Sequence, residues 1–190
     1  MKRIIGPLLL CLLLCGCGGA ETGNAVQEQY RTVKTAQMEA EVTSHTSTDS
    51  RTFTLLCSYD ADGDAVTTVT APGELAGLTA VVTGADMTLS SEGLQLPAGA
   101  SLDICPANCL PYLLRALADG YVLEQSSEAL DDTPCLRLAL DTTAPGGGKV
   151  LCAVWLDAEG LFPRYAEFSR NEQVVLTVKL LAFTCTTSEG

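Results

Sequence analysis

The sequence predicts an α+β fold: one curved antiparallel β-sheet, a half-barrel, with two or so helices against its concave side. Three observations predict it. Polar and apolar residues alternate through most of the chain, turn signals recur at hairpin spacing, and only two segments carry helical periodicity. Strands and helices do not alternate regularly, which disfavours a parallel βαβ arrangement.

Taken in order, Asn24 to Gln27 offers an N-cap with a glutamine at the third position, and Val26, Tyr30 and Val33 share a helical face. A short amphipathic helix is expected over 24–35. The period then switches to two. Met38, Ala40 and Val42 alternate with polar neighbours, as do Phe53, Leu55, Cys57 and Tyr59, and the polar stretch 44–50 joins the two strands as a hairpin. Asp62-Gly63 leads into a Thr/Val-rich strand over 64–70, and Pro72-Gly73 marks a turn before a strand from Leu75 to Val82. Short strands follow at 87–90 and 94–96. From Ala107 to Gly120 the leucines at 110, 113, 114 and 117 fall at i, i+3, i+4 and i+7, giving a helix with one apolar stripe and a glycine stop. Strands resume at 121–125, 135–140, 150–156, 165–168 and 174–183.

The chain has 190 residues, 47% of them hydrophobic and 18% charged, with a formal charge of −12. That apolar content excludes an acidic disordered tail, and the charge excludes a nucleic-acid partner, whose phosphates it would repel. Part of the hydrophobic excess lies in Ile4 to Leu14, an apolar run preceded by Lys2 and Arg3. It is about half the length a membrane-spanning helix needs and reads as a secretory signal over 1–16. Cleavage removes both of those cations and leaves nine basic against 23 acidic residues, a charge of −14.

Leu14-Cys15-Gly16-Cys17 resembles the lipobox of bacterial lipoproteins, with Cys15 where alanine or serine is usual. By that resemblance Cys17 is the lipidated first residue of the mature chain. Several acyl chains on one residue hold firmly to a bilayer. The resemblance therefore implies a lipid anchor on the extracytoplasmic face of the cell membrane. Residues 17–23 are expected as a tether, 24–185 as one domain and 186–190 as a tail.

Six cysteines remain in the body: Cys57, Cys105, Cys109, Cys135, Cys152 and Cys185. An extracytoplasmic address permits disulfides among them, although a domain this large does not need staples. Cys135 and Cys152 lie on neighbouring expected strands and could face each other if the register permits. Cys105 to Cys109 is a C-x3-C, unlike the C-x2-C of redox motifs and zinc ribbons.

Few residues suggest catalysis. Asp60-x-Asp62-Gly63-Asp64 lacks the glycine and glutamate positions of a calcium loop, the twelfth position being Ala71, and reads as a hairpin turn. His45, the one histidine, sits in a Ser/Thr-rich loop with no nucleophile-elbow motif elsewhere, and is expected to be solvated. Asp131-Asp132, Glu124 and Glu128 have no glycosidase spacing and read as a solvated face. Gly146 to Gly148 links two strands and does not form a phosphate loop. No catalytic or metal-binding residues and no cofactor are assigned.

Near the C-terminus, Val154-Trp155-Leu156-Asp157, the turn 158–161, Pro163-Arg164-Tyr165, and Val174-Leu176-Val178 with Phe183 resemble the closing strands of the LolA-like lipoprotein-carrier superfamily. Tyr30-x-x-Val33-Lys34-Thr35 resembles the way many members open. The resemblance spans residues 24–185 and implies helices lying in the concave side of a half-barrel, with an apolar cavity that takes acyl chains in the carriers. Met38, Phe53, Leu55, Leu113, Leu114 and Leu117 would line such a cavity. The same residues could instead pack against one another as an ordinary core. The sequence thus leaves two readings: a tethered lipoprotein binding an acyl chain or other apolar ligand, and a filled half-barrel acting as a sensor or assembly factor through an envelope protein partner.

Overall fold

The computed structural model describes residues 19–100 and 103–188. Helix α1 (Gly19–Arg31) precedes strands β1 (Val33–His45), β2 (Ser50–Asp60), β3 (Ala65–Ala71), β4 (Thr79–Thr83), β5 (Asp86–Ser91) and β6 (Leu94–Ala100). Helix α2 (Cys109–Asp119) then leads to β7 (Tyr121–Leu130), β8 (Thr133–Thr143), β9 (Lys149–Asp157), β10 (Pro163–Arg170) and β11 (Gln173–Thr187). The eleven strands form one sheet in the order β6-β5-β4-β3-β2-β1-β11-β10-β9-β8-β7, every pair antiparallel and the two edges unpaired. The α+β half-barrel expected from the alternation is what the chain forms.

The chain enters this sheet at its middle. It winds outward by hairpins to the β6 edge, crosses to the opposite edge through α2, and winds back until β11 closes against β1. Because α2 is the crossover, it must lie over the concave face, and its residues are buried on nearly all sides. It packs against β2 and β8, while α1 lies on α2 and reaches β7. The alternation along β1 puts Val33, Ala36, Met38, Ala40 and Val42 inside, under these helices.

Several expected boundaries move for physical reasons. Helix α1 begins at Gly19, so Asn24 is in its interior and most of the expected tether is helical. It ends at Arg31, and not at 35, because Thr32 turns back: its amide and hydroxyl both donate to the Gln29 carbonyl, at 3.2 and 2.7 Å. The β-branched residues Val33 and Thr35 then join the sheet, Val33 opposite Thr187. The strand expected from Leu75 starts only at Thr79. Gly73–Leu75 form a 3-10 turn, and Gly77 sits at φ +87°, which a continuing strand cannot accommodate. The signal segment 1–16 and Cys17 lie outside the described residues.

Candidate functional site: the packed interior and the groove beside β7

The six residues proposed to line a cavity come together in one place. Met38 on β1, Leu55 on β2 and Leu113, Leu114 and Leu117 on α2 are all buried in one apolar cluster; Leu113 and Leu117 have no exposed surface. Phe53 is half-buried and packs against the same cluster. Leu110, Leu138, Leu140 and Phe168 complete this interior. Tyr112 of α2 meets Phe168 edge-on at 5.7 Å, and its hydroxyl is hydrogen-bonded to that of Thr142.

Open grooves lie elsewhere on the molecule. A groove of about 600 Å³ runs between α1 and the start of β7, lined by Gly23, Asn24, Gln27 and Arg31 on one side and by residues 119–125 on the other. The helix approaches closely here: a Cβ on Gly23 would lie 3.6 Å from both methyls of Val122 and 3.1 Å from Gln125 Oε1. Gln27 donates its side-chain amide to the Gly120 carbonyl, and Arg31 meets Asp119 at 3.4 Å. The outer lip is apolar and open, with Tyr121 72% and Leu123 55% exposed. Nothing in the sequence marks this groove, because it is built from the crossover of α2 and from a helix start five residues earlier than expected.

On the convex face a chain of side chains crosses four strands. Arg137 of β8 reaches Glu124 of β7 at 3.2 Å and Glu128 at 3.9 Å, and its guanidinium lies 5.3 Å from the centre of the Trp155 ring. Trp155 donates its indole N–H to Glu128 at 3.0 Å and meets the Tyr165 ring at 5.4 Å. The Ser126 hydroxyl and then the Trp155 indole hold the Glu128 carboxyl below its usual range. Glu124 and Glu128, expected to be merely solvated, thus grip a cation. Asp131 and Asp132 also carry structure. At φ +49° and +62° they are the two central residues of the β7–β8 hairpin turn.

His45 is the last residue of β1, not part of a loop. Its Nδ1 faces the Ser50 hydroxyl at 3.0 Å and its Nε2 the Thr177 hydroxyl at 3.3 Å, so no carboxylate orients the ring for base catalysis. The Asp60–Asp64 segment is a turn, in which the Asp60 carboxylate accepts the Asp62 amide at 3.0 Å and Asp62 meets Lys34 at 3.3 Å. Among the described residues no group of three metal-ligating side chains comes together.

All six body cysteines are free thiols. The suggested facing of Cys135 and Cys152 fails on register. Cys135 lies opposite Asp157 and Cys152 opposite Leu140, a stagger of five residues or roughly 17 Å along the strands, well beyond the ~7 Å that a disulfide spans. Cys57 and Cys185 flank β1 on either side, two strands apart. Cys105 lies in the turn that leads into α2, and the Cys109 amide donates to its carbonyl at 3.0 Å. Burial raises the thiols of Cys109 and Cys152 well above their ordinary value, and raises that of Cys57 to about 11, partly offset by the Thr67 hydroxyl opposite it.

No protein-family model matches the chain, and no curated protein matches it in sequence. Solved structures do match. A DUF1329 family protein from Desulfovibrio piger superposes with a TM-score of 0.51 at 13% identity, over 90% of this chain and 94% of that one. A conserved protein from Thermus thermophilus gives 0.50 at 11%, over 90% and 89%. A LolA superfamily protein from Nitrosomonas europaea gives 0.45 at 14%, over 88% and 94%. The chain has the fold of the Desulfovibrio piger DUF1329 family protein. The likeness is one of architecture: the half-barrel supplies a concave face and helices to cover it, and the side chains decide whether the space between is a cavity. In this chain the leucines of α2 occupy it.

Proposed function

We propose that the protein is an envelope lipoprotein, held on the extracytoplasmic face of the cell membrane by an acylated Cys17, whose filled half-barrel acts through contacts with an envelope protein partner. The observation that carries this reading is the fully buried stripe of α2. Leu113 and Leu117 are fully buried in the same apolar cluster as Met38 and Leu55, which supports a filled interior where an acyl chain would otherwise lie. A well-packed interior of this kind resists insertion, since opening it forfeits many dispersion contacts at once. Catalysis is not part of the proposal, because the one imidazole is taken by two hydroxyls.

A second reading, binding of an acyl chain or other apolar ligand, is favoured by one feature, the groove between α1 and β7. Its volume of about 600 Å³ lies within the range of small-molecule sites, and Val122 and Leu123 line it. Two measurements test the proposal. Intact mass of the protein purified from membranes should give a chain that begins at Cys17 and carries acyl groups; an unmodified chain beginning elsewhere contradicts the anchor. A fluorescent fatty acid titrated into the exported Cys17→Ser form should give no saturable signal. Saturable binding lost on Leu123→Glu would favour the second reading.

A further inference from the structure

Helix α1 sets how far the body of the protein can stand from its anchor. It begins at Gly19, two residues past Cys17, a contour of at most about 7 Å. Four more residues of helix, at ~1.5 Å each, add about 6 Å before Gly23. Gly23 packs against Val122 of β7. The start of β7 is therefore held within roughly 20 Å of Cys17, and residues 19–23 of that span are helical.

We propose that this edge of the sheet rests on the bilayer, with Tyr121 and Leu123 seated at its interface. The inference depends on the lipoprotein reading and adds an orientation to it. β7 is an edge strand, paired only with β8. Tyr121 and Leu123, two residues apart, are its exposed large apolar side chains, 72% and 55% open. A tyrosine with an apolar ring and a polar tip suits the headgroup layer, and a leucine beside it suits the acyl boundary. Charge favours the same face. In a mature chain of net −14, Asp119 is paired with Arg31 at 3.4 Å, and Glu124 shares Arg137 with Glu128, at 3.2 and 3.9 Å. The rim's charge is thus partly offset beside its apolar side chains. The groove between α1 and β7 then opens towards lipid.

The test uses the full lipidated chain in phosphatidylcholine vesicles, with or without bromine on the acyl chains. Tyr121→Trp is made in a Trp155→Phe background, and its fluorescence is compared with that of Trp155 in the otherwise native chain. Trp155 lies opposite Arg137, four residues along β8 from the Asp141 that faces Tyr121, so it sits about 14 Å along the strands from position 121 and serves as the distant reference. The proposal expects a blue shift and bromine quenching for the tryptophan at 121 and neither for Trp155. A chain that floats with the vesicles but whose tryptophan at 121 is unquenched overturns the orientation and leaves the anchor standing. That result would also be expected if a second polypeptide strand covered β7. A chain that does not float overturns the anchor and the orientation with it.

Discussion

Gly120 donates its amide to the Ala116 carbonyl at 2.9 Å, and a Cβ at Gly120 would lie 2.4 Å from that same oxygen. The helix stop read from the sequence is real, but its cause differs from the usual one. Gly120 sits at φ −64°, where any residue is comfortable, so space and not handedness demands glycine. The chain turns here from α2 straight into β7, and the Leu140 and Thr142 side chains close the other side at 3.2 and 3.1 Å. Gly120→Ala should therefore destabilise the fold by about 2 kcal/mol or more, read as a lower urea midpoint. A neutral result would mean that the α2–β7 junction is looser than described.

The packed interior makes a second prediction. Leu117 has no exposed surface, and truncation to alanine leaves a void between α2 and the sheet. Leu117→Ala should cost about 3 kcal/mol, and Leu113→Ala a similar amount. A protein with a pre-existing acyl cavity at this place would lose much less, because the side chain would already border empty space. Thermal unfolding of the two variants beside the parent separates these cases.

The thiols make a third. Cys57, Cys109, Cys135 and Cys152 are buried, whereas Cys105 and Cys185 are partly exposed. Alkylation at pH 8 should label Cys185 and Cys105 first and the other four only on unfolding; rapid labelling of all six would contradict the packing. Burial raises Cys57 from an ordinary 9.0 to about 11, so in that window the unfolded chain has lost the proton and the folded one keeps it. Stability should fall as pH rises from 9, with the Cys57 contribution complete above 11 and the more strongly raised Cys109 and Cys152 continuing the loss, and Cys57→Ala should flatten the slope between 9 and 11. A slope unchanged by the substitution would assign the alkaline loss to other groups.

How much of this was legible in the sequence follows from what each residue depends on. The alternation of Met38, Ala40 and Val42 is a local property and predicted both strand and buried face. The α2 stripe was legible because four leucines at helical spacing need only one neighbour to cover them. Strand ends were less so: β7 runs on to Leu130 through polar residues because β8 pairs with it, a contact invisible in Ser126-Ser127-Glu128 themselves. The groove beside β7 and the grip of Glu124 and Glu128 on Arg137 depend on which strands end up adjacent, and eleven strands permit many orders. Whether the interior is filled was likewise undecidable from leucines that suit a core and a cavity equally.

The β7–β8 turn gives a fourth prediction. Asp131 and Asp132 both hold positive φ, a conformation that asparagine and glycine adopt at lower cost, and two like charges sit side by side. Asp131→Asn with Asp132→Gly should stabilise the protein by roughly 1 kcal/mol without altering the fold. A loss of stability would show that these carboxylates make contacts worth more than the strain they carry.

Native mass spectrometry of the exported Cys17→Ser form, purified without detergent, tests the central claim most directly. A half-barrel filled by Leu113, Leu114 and Leu117 should fly at the mass of the bare chain, and added fatty acid should leave that mass unchanged. A stoichiometric acyl-chain adduct that survives purification, and that disappears when Leu117 is replaced by a bulkier phenylalanine, would contradict it.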